Sequence, residues 1–190
     1  MKKSLLTLVL IVFVTLSITA QQQKYRVSNF YEGYIITKDG NKEKGYILYQ
    51  DETVRYKKVV FKKERKGKKQ RFSVKDIKGY KVAGETYHAI QYKDVVFKQS
   101  YFLLLEKEGC INTYKRRDII DGEWQNEMIL SLDGDAISTQ TFALGFAKKL
   151  SAFIKDNKEL AAKVKNKEKG YRLLSLEAII AEYNEACTSK

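Results

Sequence analysis

YEGYIITKDGNKEKGYILY, residues 31–49, carries two aromatic and β-branched runs on either side of a polar break. Tyr31 to Thr37 and Gly45 to Tyr49 suit a half-buried pleated surface, and Lys38-Asp39-Gly40-Asn41 supplies Asp and Gly for a tight turn. The pattern predicts a β-hairpin. Beyond it, Arg55 to Lys63 reads as a strand and Gln70 to Val74 as its partner, with Gly67 in the tip between them. Gly79 to Val82, Thr86 to Tyr92, Asp94 to Gln99, Phe102 to Glu108, Cys110 to Arg116 and Trp124 to Leu132 continue the series. The connectors Ala83-Gly84-Glu85, Gly109 and Asp133-Gly134-Asp135 are short, so consecutive strands are expected to pair antiparallel.

After the strands the period changes. Phe142, Phe146, Leu150, Phe153 and Ile154 fall on one stripe of a helix running from Thr141. Asn157 suits the N-cap of a short helix carrying Leu160, Ala161 and Val164, with Gly170 beyond its end. Ser175 suits the cap of a last helix with Leu176, Ile179, Ile180, Tyr183 and Cys187 on one face. The expected class is α+β: an antiparallel β-meander, as a curved sheet or partly open barrel, followed by two to three amphipathic helices packed on it. In domain terms, residues 1–20 read as a secretory signal peptide, 21–138 as the β-rich region, and 139–190 as the helical region of the same domain.

The leader reading rests on Lys2 and Lys3, the apolar run from Leu5, the small Ala20, and the polar Gln21-Gln22-Gln23 that follows. Leu5 to Ala20 is 16 residues, short of the ~20 a spanning helix needs, so cleavage is favoured over an uncleaved anchor. No transmembrane segment then remains, and the protein is expected in the periplasm or at the cell exterior. Composition narrows the class further. A 44% hydrophobic content argues against a disordered chain, two cysteines against a disulfide-dense miniprotein, and a single histidine against a multi-histidine metal site.

Charge is concentrated. Residues 55–81 hold 13 Lys and Arg against Glu64 and Asp76, a net +11, which equals the net charge of everything after residue 20. The tip contributes Lys62, Lys63, Arg65, Lys66, Lys68, Lys69 and Arg71; such crowded cations must stay hydrated and should project into solvent. In an exported protein the polyanions it would meet are anionic lipid, lipopolysaccharide and acidic glycans, whereas export disfavours nucleic acid. The bland reading is a solvated edge hairpin whose lysines prevent edge-to-edge pairing. Protein partners are not legible.

Enzyme signatures are weak. His88 sits in an alternating strand without a nucleophile elbow. Glu106 and Glu108 are two apart on one expected strand, about 6–7 Å along it, near the lower edge for an inverting glycosidase pair. A carboxylate-based extracytoplasmic hydrolase is therefore the alternative to a non-enzymatic binding or structural module, and a compact cleft gathering Glu106, Glu108 and His88 would favour it. Asp118, Asp121 and Glu123 around Gly122 lack the alternation of a calcium loop, and no cofactor or metal site is expected. In an oxidising compartment Cys110 and Cys187 either pair, pinning the tail to the sheet, or stay separate buried thiols.

Several short motifs together resemble exported proteins of Bacteroidetes-type bacteria that carry no established activity. These are the leader ending Ala20-Gln21-Gln22, Gly33-Tyr34-Ile35 and Gly45-Tyr46-Ile47 around Asp39-Gly40, Val74 to Tyr80, and Tyr183-Asn184 with Cys187. The resemblance implies export and a sheet-plus-helices layout, with no cofactor or catalytic residue to carry over. The Lys-rich tip lies outside it.

Overall fold

The computed structural model describes residues 25–120 and 123–188, so the leader read at residues 1–20 lies outside the described residues, as do Asp121 and Gly122 of the acidic loop. The chain is α+β: among the described residues, ten strands are followed by three C-terminal helices. The strands are β1 (Phe30–Ile36), β2 (Lys42–Leu48), β3 (Lys58–Lys62), β4 (Gln70–Ser73), β5 (Gly79–Val82), β6 (Glu85–Lys93), β7 (Lys98–Lys107), β8 (Asn112–Ile120), β9 (Glu123–Leu132) and β10 (Asp135–Ser138). A one-turn helix α1 (Glu52–Arg55) precedes β3, and α2 (Phe146–Phe153), α3 (Lys158–Lys165) and α4 (Leu176–Thr188) follow β10.

The meander holds only in two blocks. β1 to β4 pair in sequence, then the chain returns and β5 pairs antiparallel with β1, Ile35 opposite Tyr80. From β5 onward each strand pairs with the next, and β10 closes on β6 in parallel at Ile137 and Lys93, making β6 to β10 a five-strand closed barrel. The short β10 is absent from the sequence reading because four residues are too few to reveal alternation. What announces it is the turn: Asp133 and Gly134 both take positive φ, 50° and 89°, the two-residue hairpin geometry that matches strand twist.

Alternation along the strands sorts the apolar side chains into three cores. Tyr92, Leu103, Tyr114 and Ile129 fill the barrel. Tyr87 and Phe102, on the other face of β6 and β7, pack with Ile35, Ile47, Val59, Phe61, Tyr80 and Val82 of the N-terminal strands. Ile111, Leu130 and Leu132 meet Leu150, Ile154, Leu160, Val164, Ile179, Ile180 and Tyr183 of the helices.

Three further expectations are corrected. Arg55 ends a helix instead of opening a strand, because the Asp51 side chain caps the turn by accepting from the Thr53 N–H at 3.0 Å. Asp94 to Gln99 is no separate strand: Asp94 Oδ1 accepts from the Val96 and Phe97 N–H groups, each at 2.7 Å, folding a turn that leaves Val95, Val96 and Phe97 exposed. The helix expected from Thr141 is broken, with a 3-10 turn over Thr139–Ala143 and α2 starting after Gly145, whose φ of 97° no helix tolerates. Phe142, Leu150 and Ile154 still reach one core. Asn157 caps α3 by accepting from the Leu160 N–H at 3.1 Å.

The last helix is tied to the sheet at several points. A disulfide joins Cys110 to Cys187, Cα atoms 6.5 Å apart. One turn before Cys187, the Asn184 side chain accepts from the Ile111 N–H at 2.7 Å and donates to the Ile111 carbonyl at 3.0 Å, satisfying both backbone groups where no strand does. Among the described residues, no helix is long and apolar enough to cross a membrane.

The bond closes a separation of 77 residues. Replacing both cysteines by serine should cost about 4 kcal/mol in the chain-entropy picture, read as a lower urea midpoint. Equal midpoints for the oxidised protein and the double variant would contradict this.

Candidate functional site

The cationic segment opens into the β3–β4 hairpin. Its tip from Lys63 to Lys69 is exposed apart from the half-buried Gly67, and Arg71 is exposed on β4, which pairs with β3 alone. Lys62 is half-buried, its ammonium 4.4 Å above the Phe30 ring, with Lys69 5.9 Å from the same ring. So Lys62, Lys63, Arg65, Lys66, Lys68, Lys69 and Arg71 stand together. Arg55 does not join them. It is buried, donating to Tyr87 Oη at 2.7 Å, Glu85 Oε2 at 2.9 Å and the Gln50 carbonyl at 3.1 Å, with its guanidinium 4.6 Å over Tyr49. A cation counted in the field of the segment is in fact a core strut.

Strand register enlarges the site beyond the segment. Tyr34 lies opposite Lys44 and Lys81, Tyr46 opposite Lys62, and Ile36 opposite Lys42, so these residues share the face turned away from the core. Lys58 and Arg71 fall on it by the same parity. Lys42 caps the Tyr34 ring at 5.0 Å. The outer face of the N-terminal strands is thus a basic sheet set with Phe30, Tyr34 and Tyr46, continuous with the hairpin tip. Among the described residues Glu32 is the carboxylate that parity places there. A shallow hollow of about 590 Å³ lies on this face, lined by Glu32, Tyr34 and Tyr46 and by Lys44, Lys63 and Lys81. Segment charge alone did not reveal Lys42, Lys44 or the rings; the even spacing of β1 and β2 against Lys62, once the register is known, does.

The carboxylate and histidine candidates do not line one cavity together. Register shifts by a bulge between Leu105 and Lys107, and Glu106 pairs with Lys115 at 3.6 Å while Lys107 pairs with Glu177 at 3.2 Å. The small cavity beside them, about 420 Å³, is lined by Glu106 but by neither His88 nor Glu108. His88 is half-buried at one end of the barrel, its Nδ1 2.9 Å from the Tyr114 hydroxyl. At the other end, Glu127 Oε2 accepts from Tyr92 Oη at 3.1 Å and from Arg116 at 3.3 Å, with Arg116 stacked 4.6 Å over Tyr101. Both ends of the barrel thus carry polar side chains that hydrogen-bond one another. Among the described residues no group of three His, Cys, Asp or Glu side chains is placed to hold a metal ion.

A larger hollow lies on the opposite architecture. Between α2 and α3, with the segment around Tyr171 at its end, runs a groove of about 1170 Å³. The apolar stripe of these helices packs on the core, and the groove lies on their other face. The signal in the sequence is Lys158 and Lys165, seven residues apart on one stripe of α3, with Lys148 and Lys155 on and just beyond α2. Comparison of the chain with protein families, with curated proteins and with solved structures finds no match.

Burial lowers the His88 pKa from its ordinary 6.5, against the opposing pull of Glu108. The unfolded chain therefore takes up a proton below that pH more readily than the folded protein, so stability is whole above pH 6.5 and declines as pH falls toward the lower folded value. As the chain has one histidine, His88→Asn should flatten the change in urea midpoint between about pH 7.5 and about pH 5.5. The same decline in the variant would contradict the assignment.

Proposed function

We propose that this chain is an exported, non-enzymatic binding module that contacts anionic components of a cell envelope through the β3–β4 hairpin and the basic face beside it. The observation that carries this reading is the grouping of the seven tip cations with Lys42, Lys44, Lys58 and Lys81 on one solvent-facing surface. Anionic lipid headgroups, lipopolysaccharide phosphates and acidic glycans share the chemistry that such a surface attracts: dense negative charge, met by ammonium groups that need no fixed geometry. Export is supported by the basic and apolar leader and by the Cys110–Cys187 disulfide, a bond that persists in oxidising compartments. The same leader and layout support kinship with exported proteins of Bacteroidetes-type bacteria. A hydrolase built on Glu106, Glu108 and His88 finds no support in a cavity that lacks two of the three.

Each exposed cation near a charged surface contributes about 1 kcal/mol, so changing Lys66, Lys68 and Lys69 to Gln should weaken binding to anionic vesicles or lipopolysaccharide about a hundredfold at low salt. The gap should close as salt rises. Equal, salt-independent retention of wild type and variant would end the proposal, and tighter retention on RNA than on any envelope polyanion would move the protein to another class of partner. Intact mass of the protein from its native host should lack residues 1–20; a mature form that keeps Met1 would contradict export by cleavage.

A further inference from the structure

We infer that the groove between α2 and α3 binds a single-chain phospholipid with an anionic head, the acyl chain along the groove floor and the phosphate among the lysines of its rim. This site is separate from the basic sheet face, and the inference stands whether or not that face binds polyanions.

The floor is apolar and the walls are low. Phe142 and Phe146 meet at 5.5 Å in an edge-to-face pair, and Tyr171, Ala147, Ala152, Ala161 and Ala162 line the groove with them. Alanine at these positions keeps two adjacent helices from filling the space between them, and Ala152 and Ala162 are exposed. At about 1170 Å³ the groove exceeds the ~300–1,000 Å³ of ordinary small-molecule sites, as an elongated ligand requires.

The rim is of one sign. Lys148, Lys155, Lys158, Lys165, Lys167 and Arg172 border the groove, and no Asp or Glu is among its lining residues. Of the nearby carboxylates, Glu159 pairs with Lys163 at 2.9 Å, Asp156 accepts from the Tyr183 hydroxyl at 2.6 Å and Glu182 accepts from the Tyr171 hydroxyl at 3.1 Å, while Glu168 is exposed beside Lys167. Six like charges around an apolar trough repel one another, and an anion set among them relieves that repulsion. The mouth is apolar as well, with Leu144 79% and Leu173 45% exposed on chain that borders the groove.

These features select the occupant. Among the described residues, no side-chain nitrogen or oxygen lining the groove is buried without a hydrogen-bond partner. The floor therefore offers dispersion and water exclusion to a chain that itself needs no hydrogen bonds, which an acyl tail satisfies and a peptide backbone does not. Ammonium groups spread along both edges suit a phosphate head that can settle against several of them.

The test uses the purified full chain and lysophosphatidylglycerol below its micelle concentration, followed by calorimetry. Binding is expected, with Ala162→Trp, which fills the groove from an exposed position, and Lys155→Gln/Lys158→Gln/Lys165→Gln each weakening it about tenfold or more. Both variants should keep the wild-type melting transition. Equal affinity for lysophosphatidylcholine would remove the role of the rim, and unchanged affinity in Ala162→Trp would remove the groove. Binding of anionic vesicles without binding of the monomeric lipid would overturn the inference in favour of a membrane surface. Tighter binding of an acidic amphipathic peptide, lost in the same variants, would overturn it in favour of a protein partner.

Discussion

β6 is the strand on which the rest of the molecule depends. Its first residues pair with β5, most of its length pairs with β7, and its last residue pairs with β10, so one nine-residue segment belongs both to the N-terminal sheet and to the barrel. Its two faces serve different cores: Tyr87 and Ala89 pack under the N-terminal strands, Ile90 and Tyr92 inside the barrel. A register slip of one residue would exchange those faces and undo both cores together. The shared strand thus fixes which face of β1, β2 and β3 turns inward, and by exclusion which face is left to water.

That exclusion explains the charge distribution. The inner face of the N-terminal strands is spent on Ile35, Ile47, Val59, Phe61, Tyr80 and Val82, so lysines can be accommodated only on the outer one. Among the described residues, where a cation does go inside it is an arginine met by several acceptors. Arg55 has Glu85, Tyr87 and the Gln50 carbonyl as acceptors and Tyr49 beneath it, and Tyr80 Oη donates to its backbone carbonyl at 3.1 Å. Arg116, against Glu127 and Tyr92, follows the same pattern inside the barrel. The guanidinium fork makes such placements feasible; an ammonium in the same setting would leave acceptors unmet.

Local pattern carried much of this and failed where contacts are distant in sequence. The 31–49 hairpin, the Asn157 cap and the Leu176 to Cys187 stripe each depend on neighbours within a turn or two, and each is present. The return of β5 to β1 leaves no local trace, because Val74 to Lys78 reads as a short connector whichever strand follows it. Arg55 looked like surface because a charge run says nothing of the Tyr87 hydroxyl 32 positions away. The basic tip was legible from charge alone, whereas its extension over Lys42 and Lys44 required the register of β1, β2 and β3. The groove stayed hidden since an amphipathic helix is read by its apolar stripe, and the alanines that open this hollow sit beside that stripe.

The most direct measurement of the central claim is amide chemical-shift mapping of the full chain with an acidic oligosaccharide that carries no acyl chain. The account predicts perturbations gathered on β1, β2, β3 and the Lys62 to Arg71 tip, fading as salt is raised. Perturbations spread over the surface in proportion to its lysines, or centred on the helices instead, would contradict it.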